Sequence, residues 1–498
     1  MRYFLGLDVG TSGVKAALVD ERGNVKASAT ASHPLATPHP GWAEQNPLDW
    51  WTSSVTAIKK AMRAGKVRGS EVAAIGLSGQ MHSSVFLDRE NHVIRPALLW
   101  CDGRTTAQCQ AITAKVGEEQ LRAWVSNPAL EGFTLPKVLW LRDREPAAFR
   151  RLAKVVLAKD YVRLRLTGVL ATEPSDASAT LMYDTAHLQW SRPLMDAVGL
   201  DMSLLPEVGG SAEVLGSVDA DAARATGLAF GTPVVGGGAD NACGAVGVGL
   251  VAPGEAVASW GTSGTVLTPT ARPLVDPRMR AHTFCHAVPG TWYLMGVMLT
   301  AGGAFAWHAR ELARELARKK NGLALLNDEA SAVRPGADGI TFLPYLQGER
   351  TPHRDASARG AFVGISLAHT RAHLTRAVIE GICFGMRDSL SILAELEIVL
   401  DRVLVTGGGA QIPFIRRMQA EVYGLPVVQV NREEGPAYGA ALLAAVGAQA
   451  FPDVATACKK TLKRLPPLRP SARAHAAYDR PYARFKALYP ALHRASST

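Results

Sequence analysis

The 498-residue chain is 47% hydrophobic with a formal net charge of +10, long enough to bury more than one core and so predicted to form more than one domain. It has no run of about 18 or more uncharged apolar residues, and Met1 leads into Arg2 and a short apolar strand with no secretory h-region, which predicts a soluble, untargeted, cytoplasmic protein with no membrane partner. The six cysteines form no C-x-x-C pair, which suits a reducing compartment. A basic C-terminal segment (Lys459, Lys460, Lys463, Arg464, Arg469, Arg473), broken by prolines and without stacking aromatics, reads as a solvated connector and argues against a nucleic-acid partner.

In chain order, Phe4 to Val9 and Val14 to Val19 flank Gly10-Thr11-Ser12-Gly13 and predict a β-hairpin, with a third antiparallel strand over Val25 to Ala31. Trp50 to Arg63 has helical spacing, and Val72 to Leu77 and Val85 to Leu87 read as buried strands. The strand, GTSG turn and strand pattern returns at Ala256 to Leu267, around Gly261-Thr262-Ser263-Gly264, which predicts two similar halves meeting near Gly247 to Pro253. The second half is expected to carry helices around Arg310 to Arg318 and Thr370 to Ile398, then a strand, Asp401 to Val405, ending in Thr406-Gly407-Gly408-Gly409-Ala410.

No G-x-x-x-x-G-K-[ST] loop occurs, so a Walker-type phosphate site is excluded. The two GTSG hairpins offer backbone N–H groups and the hydroxyls of Thr11, Ser12, Thr262 and Ser263, with glycine allowing close approach by phosphate. Either alone is an ordinary turn; the pair points to a shared phosphate site. Asp8, just before the first turn, is placed as a hard oxygen ligand for magnesium, with a turn cap as the bland alternative. Asp240 follows Gly236-Gly237-Gly238-Ala239 at a strand-to-helix junction, where a carboxylate can accept a hydroxyl proton and can also serve as an N-cap. Gly247-Val248-Gly249-Leu250-Val251-Ala252 matches a dinucleotide fingerprint only formally, because Pro253-Gly254 interrupts the helix that should follow; close helix packing is the better reading.

Together these residues resemble the FGGY family of carbohydrate kinases, within the actin, hexokinase and heat-shock chaperone superfamily. Gly6 to Gly13 is similar to the family's first phosphate motif and Trp260 to Gly264 to its second; Ala301-Gly302-Gly303-Ala304 and Thr406 to Ala410 resemble its adenosine-side turns, and Tyr345 to Pro352 its cleft-wall signature. The resemblance implies an α/β fold of two actin-like (ribonuclease-H-like) domains with mixed sheets flanked by helices and an active cleft between them. Residues 1–247 would hold the sugar site, first hairpin and catalytic acid; residues 248–498 would hold the second hairpin, adenosine site and basic tail.

It further implies Asp240 as base, Asp8 as the magnesium-side acid acting through water, and ATP and Mg²⁺ as cofactors. The nucleotide would lie on Thr11, Ser12, Gly13, Gly261, Thr262, Ser263, Gly302, Gly303, Gly407, Gly408 and Gly409. Ser78-Gly79-Gln80-Met81-His82 and Trp100 to Arg104 resemble the family's xylulose kinases, which implies D-xylulose, phosphorylated at O5, as the small-molecule partner, bound by Gln80, Met81, His82, Asp240 and Asn241. For Met81 and His82, core filler and a satisfied buried histidine are the alternatives. Gluconate kinases also carry Met-His there and are the nearest rival, although an acidic sugar would want a guanidinium. Ribulose kinases, an ATP-switched actin-like non-enzyme and a sugar-binding regulator are further alternatives, and a homodimer is an open option.

Overall fold

The computed structural model describes residues 2–432 and 434–496. β1 (Tyr3–Val9) and β2 (Gly13–Asp20) form the predicted hairpin, with Asp8 opposite Lys15, and β3 (Val25–Ser32) extends it. α1 (Pro47–Gly65) starts on Asn46, whose side chain accepts from the Leu48 N–H, as an N-cap should. β4 (Val72–Gly79) joins β1 in parallel and sets Ser78 beside Asp8. α2 (Thr134–Arg144) and α3 (Ala158–Thr167) follow. β5 (Val214–Ser217), β6 (Pro233–Val235) and β7 (Gly238–Ala239) then complete a mixed seven-stranded sheet in the order β5-β6-β4-β1-β2-β3, with β7 paired to the end of β4. α4 (Asp240–Gly247) begins directly from β7.

The second half repeats this plan. β8 (Glu255–Trp260) and β9 (Gly264–Thr270) form the second hairpin, and β10 (His282–Cys285) and β11 (Trp292–Met298) extend it antiparallel. α5 (Gly302–Leu312) and α6 (Arg371–Glu395) intervene before β12 (Arg402–Gly407), which lies parallel to β8 as β4 does to β1. β13 (Val427–Val428) ends the six-stranded sheet β10-β11-β9-β8-β12-β13. Two mixed sheets built on the same hairpin-plus-parallel-strand core are what the resemblance implies. Among the described residues no helix is long and apolar enough to cross a membrane.

The chain then crosses back. α7 (Pro436–Gly447) packs on β1, β4 and α4, and α8 (Val454–Thr461) packs beside it. After that, Tyr478, Tyr482 and Phe485, the last two on α9 (Asp479–Ser496), return to the core of the second sheet. A cut near residue 247 therefore separates the two sheets, while residues 436–461 pack with the first. The contact is close because glycines line it. A β-carbon on Gly6 would lie 1.8 Å from the Ala437 carbonyl oxygen, one on Gly76 1.9 Å from that of Ala440, and one on Gly247 2.5 Å from that of Gly435. Gly247 thus serves close helix packing, as its sequence context indicated. Gly6→Ala should cost about 2–3 kcal/mol by overpacking and lower the thermal midpoint, whereas Gly408→Ala, with nothing within 4 Å of the added carbon, should leave the midpoint unchanged; equal midpoints for both variants would refute this packing.

Candidate active site

The two sheets face each other across three connected cavities. The larger inner one, about 550 Å³, is walled by Asp8 and Lys15 from the first hairpin and by Thr406, Gly407 and Gly408 at the end of β12. A smaller one, about 180 Å³, is walled by Met81, His82, Trp100, Met295, Val297 and Arg350. Asp240, Asn241, Ser259 and Thr265 line both, so the two are continuous there. At its other end the smaller cavity meets an outer one of about 940 Å³ through Trp100, Ser263 and Arg350.

β1 carries Asp8 to the cleft, where Ser78 Oγ donates to Asp8 Oδ1 at 3.0 Å. Burial pushes the Asp8 carboxyl up to about 6, against the pull of that hydrogen bond and of Lys15. Asp240 opens α4, and its Oδ1 accepts from the Asn241 N–H at 2.8 Å and from Asn241 Nδ2 at 3.2 Å. Burial, and next the Asp8 charge, raise Asp240 to about 7. The backbone behind it is pinned: the Ala239 N–H donates to Ser175 Oγ at 2.9 Å, and Ser175 Oγ donates to Glu173 at 2.7 Å. Glu173 belongs to a buried cluster in which Lys159 pairs with Asp160 at 2.7 Å and Asp176 at 3.1 Å. Asp240 is thus the first residue of its helix and not an N-cap; Ala239 holds that position.

His82 sits in a turn with φ 66°, a left-handed conformation uncommon outside glycine. Its Nδ1 lies 2.5 Å from the Ala179 carbonyl oxygen. Since a carbonyl only accepts, Nδ1 carries the proton and Nε2 is the ring's acceptor. Burial is the main reason the imidazole is pushed down to about 3, so the ring is neutral at working pH. Met81 contributes its sulfur, 3.2 Å from Asn241 Nδ2.

Several expected ligands stand outside the walls of these cavities. Gln80 is buried and lines none of the three cavities. Its Oε1 accepts from Thr11 Oγ1 at 3.1 Å and its Nε2 donates to Gln45 Oε1 at 3.0 Å, so both ends of its amide are held behind the wall. Thr11 Oγ1 also accepts from the Trp100 indole at 3.0 Å, and Thr11, Ser12 and Gly13 stand outside these cavities. A β-carbon on Gly13 would meet the Ala31 carbonyl oxygen at 2.5 Å; that glycine serves strand pairing.

In the second half Gly261 and Ser263 line the small cavity, and Thr262 and Ser263 the outer one. Gly302 and Gly303 hold this hairpin from behind, their N–H groups donating to Gly261 O at 2.8 Å and Thr262 O at 3.0 Å. Gly407 and Gly408 do face the inner cavity, whereas Gly409 is packed under the Trp260 ring, where a β-carbon would lie 2.4 Å away.

Lys15, Trp100 and Arg350 are among the wall residues with functional groups that the motifs did not single out. Lys15 was legible from hairpin register, since a turn closed between Gly10 and Gly13 puts it opposite Asp8. Trp100 and Arg350 lie inside quoted motifs, but only the fold brings them to one cavity.

A carboxyl raised from about 4 to about 7 binds its proton more tightly folded than unfolded, so wild type loses stability as pH rises between those values. Without ligands, Asp240→Asn should therefore gain thermal midpoint relative to wild type from pH 5 to pH 8, with the gain level above about 7; a constant difference across that range would contradict the shift.

Two family models match the chain: the N-terminal domain of the FGGY family of carbohydrate kinases over residues 3–247 and its C-terminal domain over residues 256–448. The chain is 37% identical over 489 residues to a xylulose kinase of Bacillus subtilis, covering 98% of this chain and 97% of that one. It is 41% identical over 456 residues to a xylulose kinase of Lactococcus lactis, covering 91% and 89%. The crystal structure of a xylulose kinase from Rhodospirillum rubrum superposes with a TM-score of 0.90 at 31% identity, covering all of both chains.

Proposed function

The chain belongs to the FGGY family of carbohydrate kinases, and from that premise we propose that it transfers the γ-phosphoryl group of ATP to the terminal hydroxyl of D-xylulose, giving D-xylulose 5-phosphate. The observation that carries the residue assignment is that Asp240 is, among the described residues, the one carboxylate in the walls of both inner cavities. The small cavity suits a sugar and the larger the nucleotide phosphates, so a base at their junction can take the hydroxyl proton as phosphorus is attacked. A carboxyl poised near 7 is matched to that task.

In the small cavity His82 Nε2 accepts from a sugar hydroxyl and Asn241 holds the Asp240 carboxylate in line. Lys15 and the N–H groups of Gly407 and Gly408 face the phosphates. FGGY kinases use ATP, generally with a divalent metal. Asp8 fits one: its half-buried carboxylate faces the inner cavity beside a second acid, and hard oxygen donors are what magnesium takes. Asp8 would hold the ion, which supplies neutralisation of charge on the phosphates.

A second reading, phosphorylation of gluconate, is favoured by Arg350, which lines the small cavity and, among the described residues, forms no ion pair or side-chain hydrogen bond. A coupled ADP-release assay over D-xylulose, D-ribulose, L-ribulose, glycerol and gluconate separates the two. D-xylulose should give the highest kcat/KM; preference for gluconate, or ADP release indifferent to sugar, would overturn the proposal. Asp240→Asn should lower kcat by about a hundredfold or more while calorimetry still detects sugar binding; retention of more than about a tenth of turnover would remove Asp240 as base. His82→Ala should lower kcat/KM for the sugar by about tenfold to a hundredfold with ATP binding unchanged, whereas lost thermal stability alone would make His82 a core residue.

A further inference from the structure

Lys137, on α2, is buried, forms no ion pair among the described residues, and has no part in the chemistry above. Its Nζ donates to the His82 carbonyl at 3.0 Å and to the Gly132 carbonyl at 2.7 Å. The same His82 oxygen accepts from Thr134 Oγ1 and Ser84 Oγ, each at 3.2 Å. Three side-chain donors on one oxygen exceed its two lone pairs, and they converge on a residue whose backbone is left-handed. Such a conformation persists where its surroundings over-determine it. With Nδ1 tied to Ala179, Nε2 is the only polar ring atom of His82 left to meet a ligand.

The second acceptor matters as much. A β-carbon on Gly132 would lie 2.8 Å from an Arg350 guanidinium nitrogen and 3.1 Å from the Trp100 carbonyl oxygen, so the Gly132 backbone is the surface against which two more walls of the small cavity rest. A methionine would fill the space of the lysine stem without desolvating an amine, and burial pushes this ammonium down to about 7. What the amine adds is two directional hydrogen bonds, joining the His82 turn to the Gly132 turn.

We propose that Lys137 is a positioning residue for the sugar: through the His82 and Gly132 carbonyls it sets where the His82 ring, Trp100 and Arg350 meet the substrate, touching neither sugar nor nucleotide. This rests on the reading of the small cavity as the sugar site. Lys137→Met keeps the apolar stem and removes Nζ. In the full-length enzyme the KM for the sugar should rise about tenfold or more, with the KM for ATP within about twofold and kcat reduced by less than the sugar KM rises.

In a His82→Ala background the same substitution should raise the sugar KM by less than about threefold, because the ring is gone and only the support of Trp100 and Arg350 through Gly132 remains to be lost. Simple space-filling would lower the melting temperature and show no dependence on His82. If Lys137→Met does not fold, Thr134→Val removes another donor from the same oxygen and should give a smaller rise, about threefold, with the same dependence. The sugar used is whichever of the five wild type turns over fastest. Wild type active on none would refute the sugar-site reading itself; an active wild type with an unchanged KM in the folded variant, or a KM rise undiminished by His82→Ala, would overturn the role of Lys137 alone.

Discussion

Two half-buried carboxylates facing one cleft with too little positive charge set the terms for everything around them. Asp8 is carried there by β1 and Asp240 by the start of α4, and burial raises both, to about 6 and about 7, with Asp8 adding to the rise of Asp240. Ser78 and Lys15 offset part of the cost at Asp8, and Asn241 part of it at Asp240. The remainder is a standing demand for a cation or a proton. In the function proposed above, a nucleotide-bound cation would meet this demand at Asp8 and a substrate hydroxyl proton would meet it at Asp240.

The polar groups behind the walls keep that arrangement rigid. The Trp50 indole donates to Gln45 Oε1, Gln45 holds the Thr11 carbonyl, and Gln80 links Gln45 to the Thr11 hydroxyl that receives Trp100. This chain ties a wall of the small cavity to the first hairpin. A second support, from Glu173 through Ser175 to Ala239, fixes the backbone from which Asp240 projects. Sites held within a fraction of an ångström need side chains behind them that are themselves fixed by hydrogen bonds, and both chains supply that support to the wall.

The hairpins, their repetition and the two acids were legible because each is a local pattern. A glycine-bounded turn between alternating strands fixes register within a few residues, and Asp8 and Asp240 stand at strand ends where any neighbour sequence would show them. The place of Gln80 behind the wall depends on partners 35 and 69 positions away, which no local pattern shows. Gly302, Gly303 and Gly409 look like nucleotide turns, yet their lack of a side chain answers to Gly261, Thr262 and Trp260, which only the folded sheet brings near. The return of α7 to the first sheet was equally hidden, since Gly6 and Ala437 stand at opposite ends of the chain. Lys137 reads as one charge on an amphipathic helix until the His82 turn arrives over it.

The ionisation of Asp240 tests the account most directly. With aspartate labelled at its γ-carbon, the carboxyl resonances of the protein without ligands can be followed by carbon-13 NMR from pH 4 to pH 9, that of Asp240 being identified by its loss in Asp240→Asn. A midpoint near 7 is expected, moving to lower pH in Asp8→Asn because the neighbouring charge is removed. A midpoint at the ordinary value of about 4, unmoved by Asp8→Asn, would contradict it.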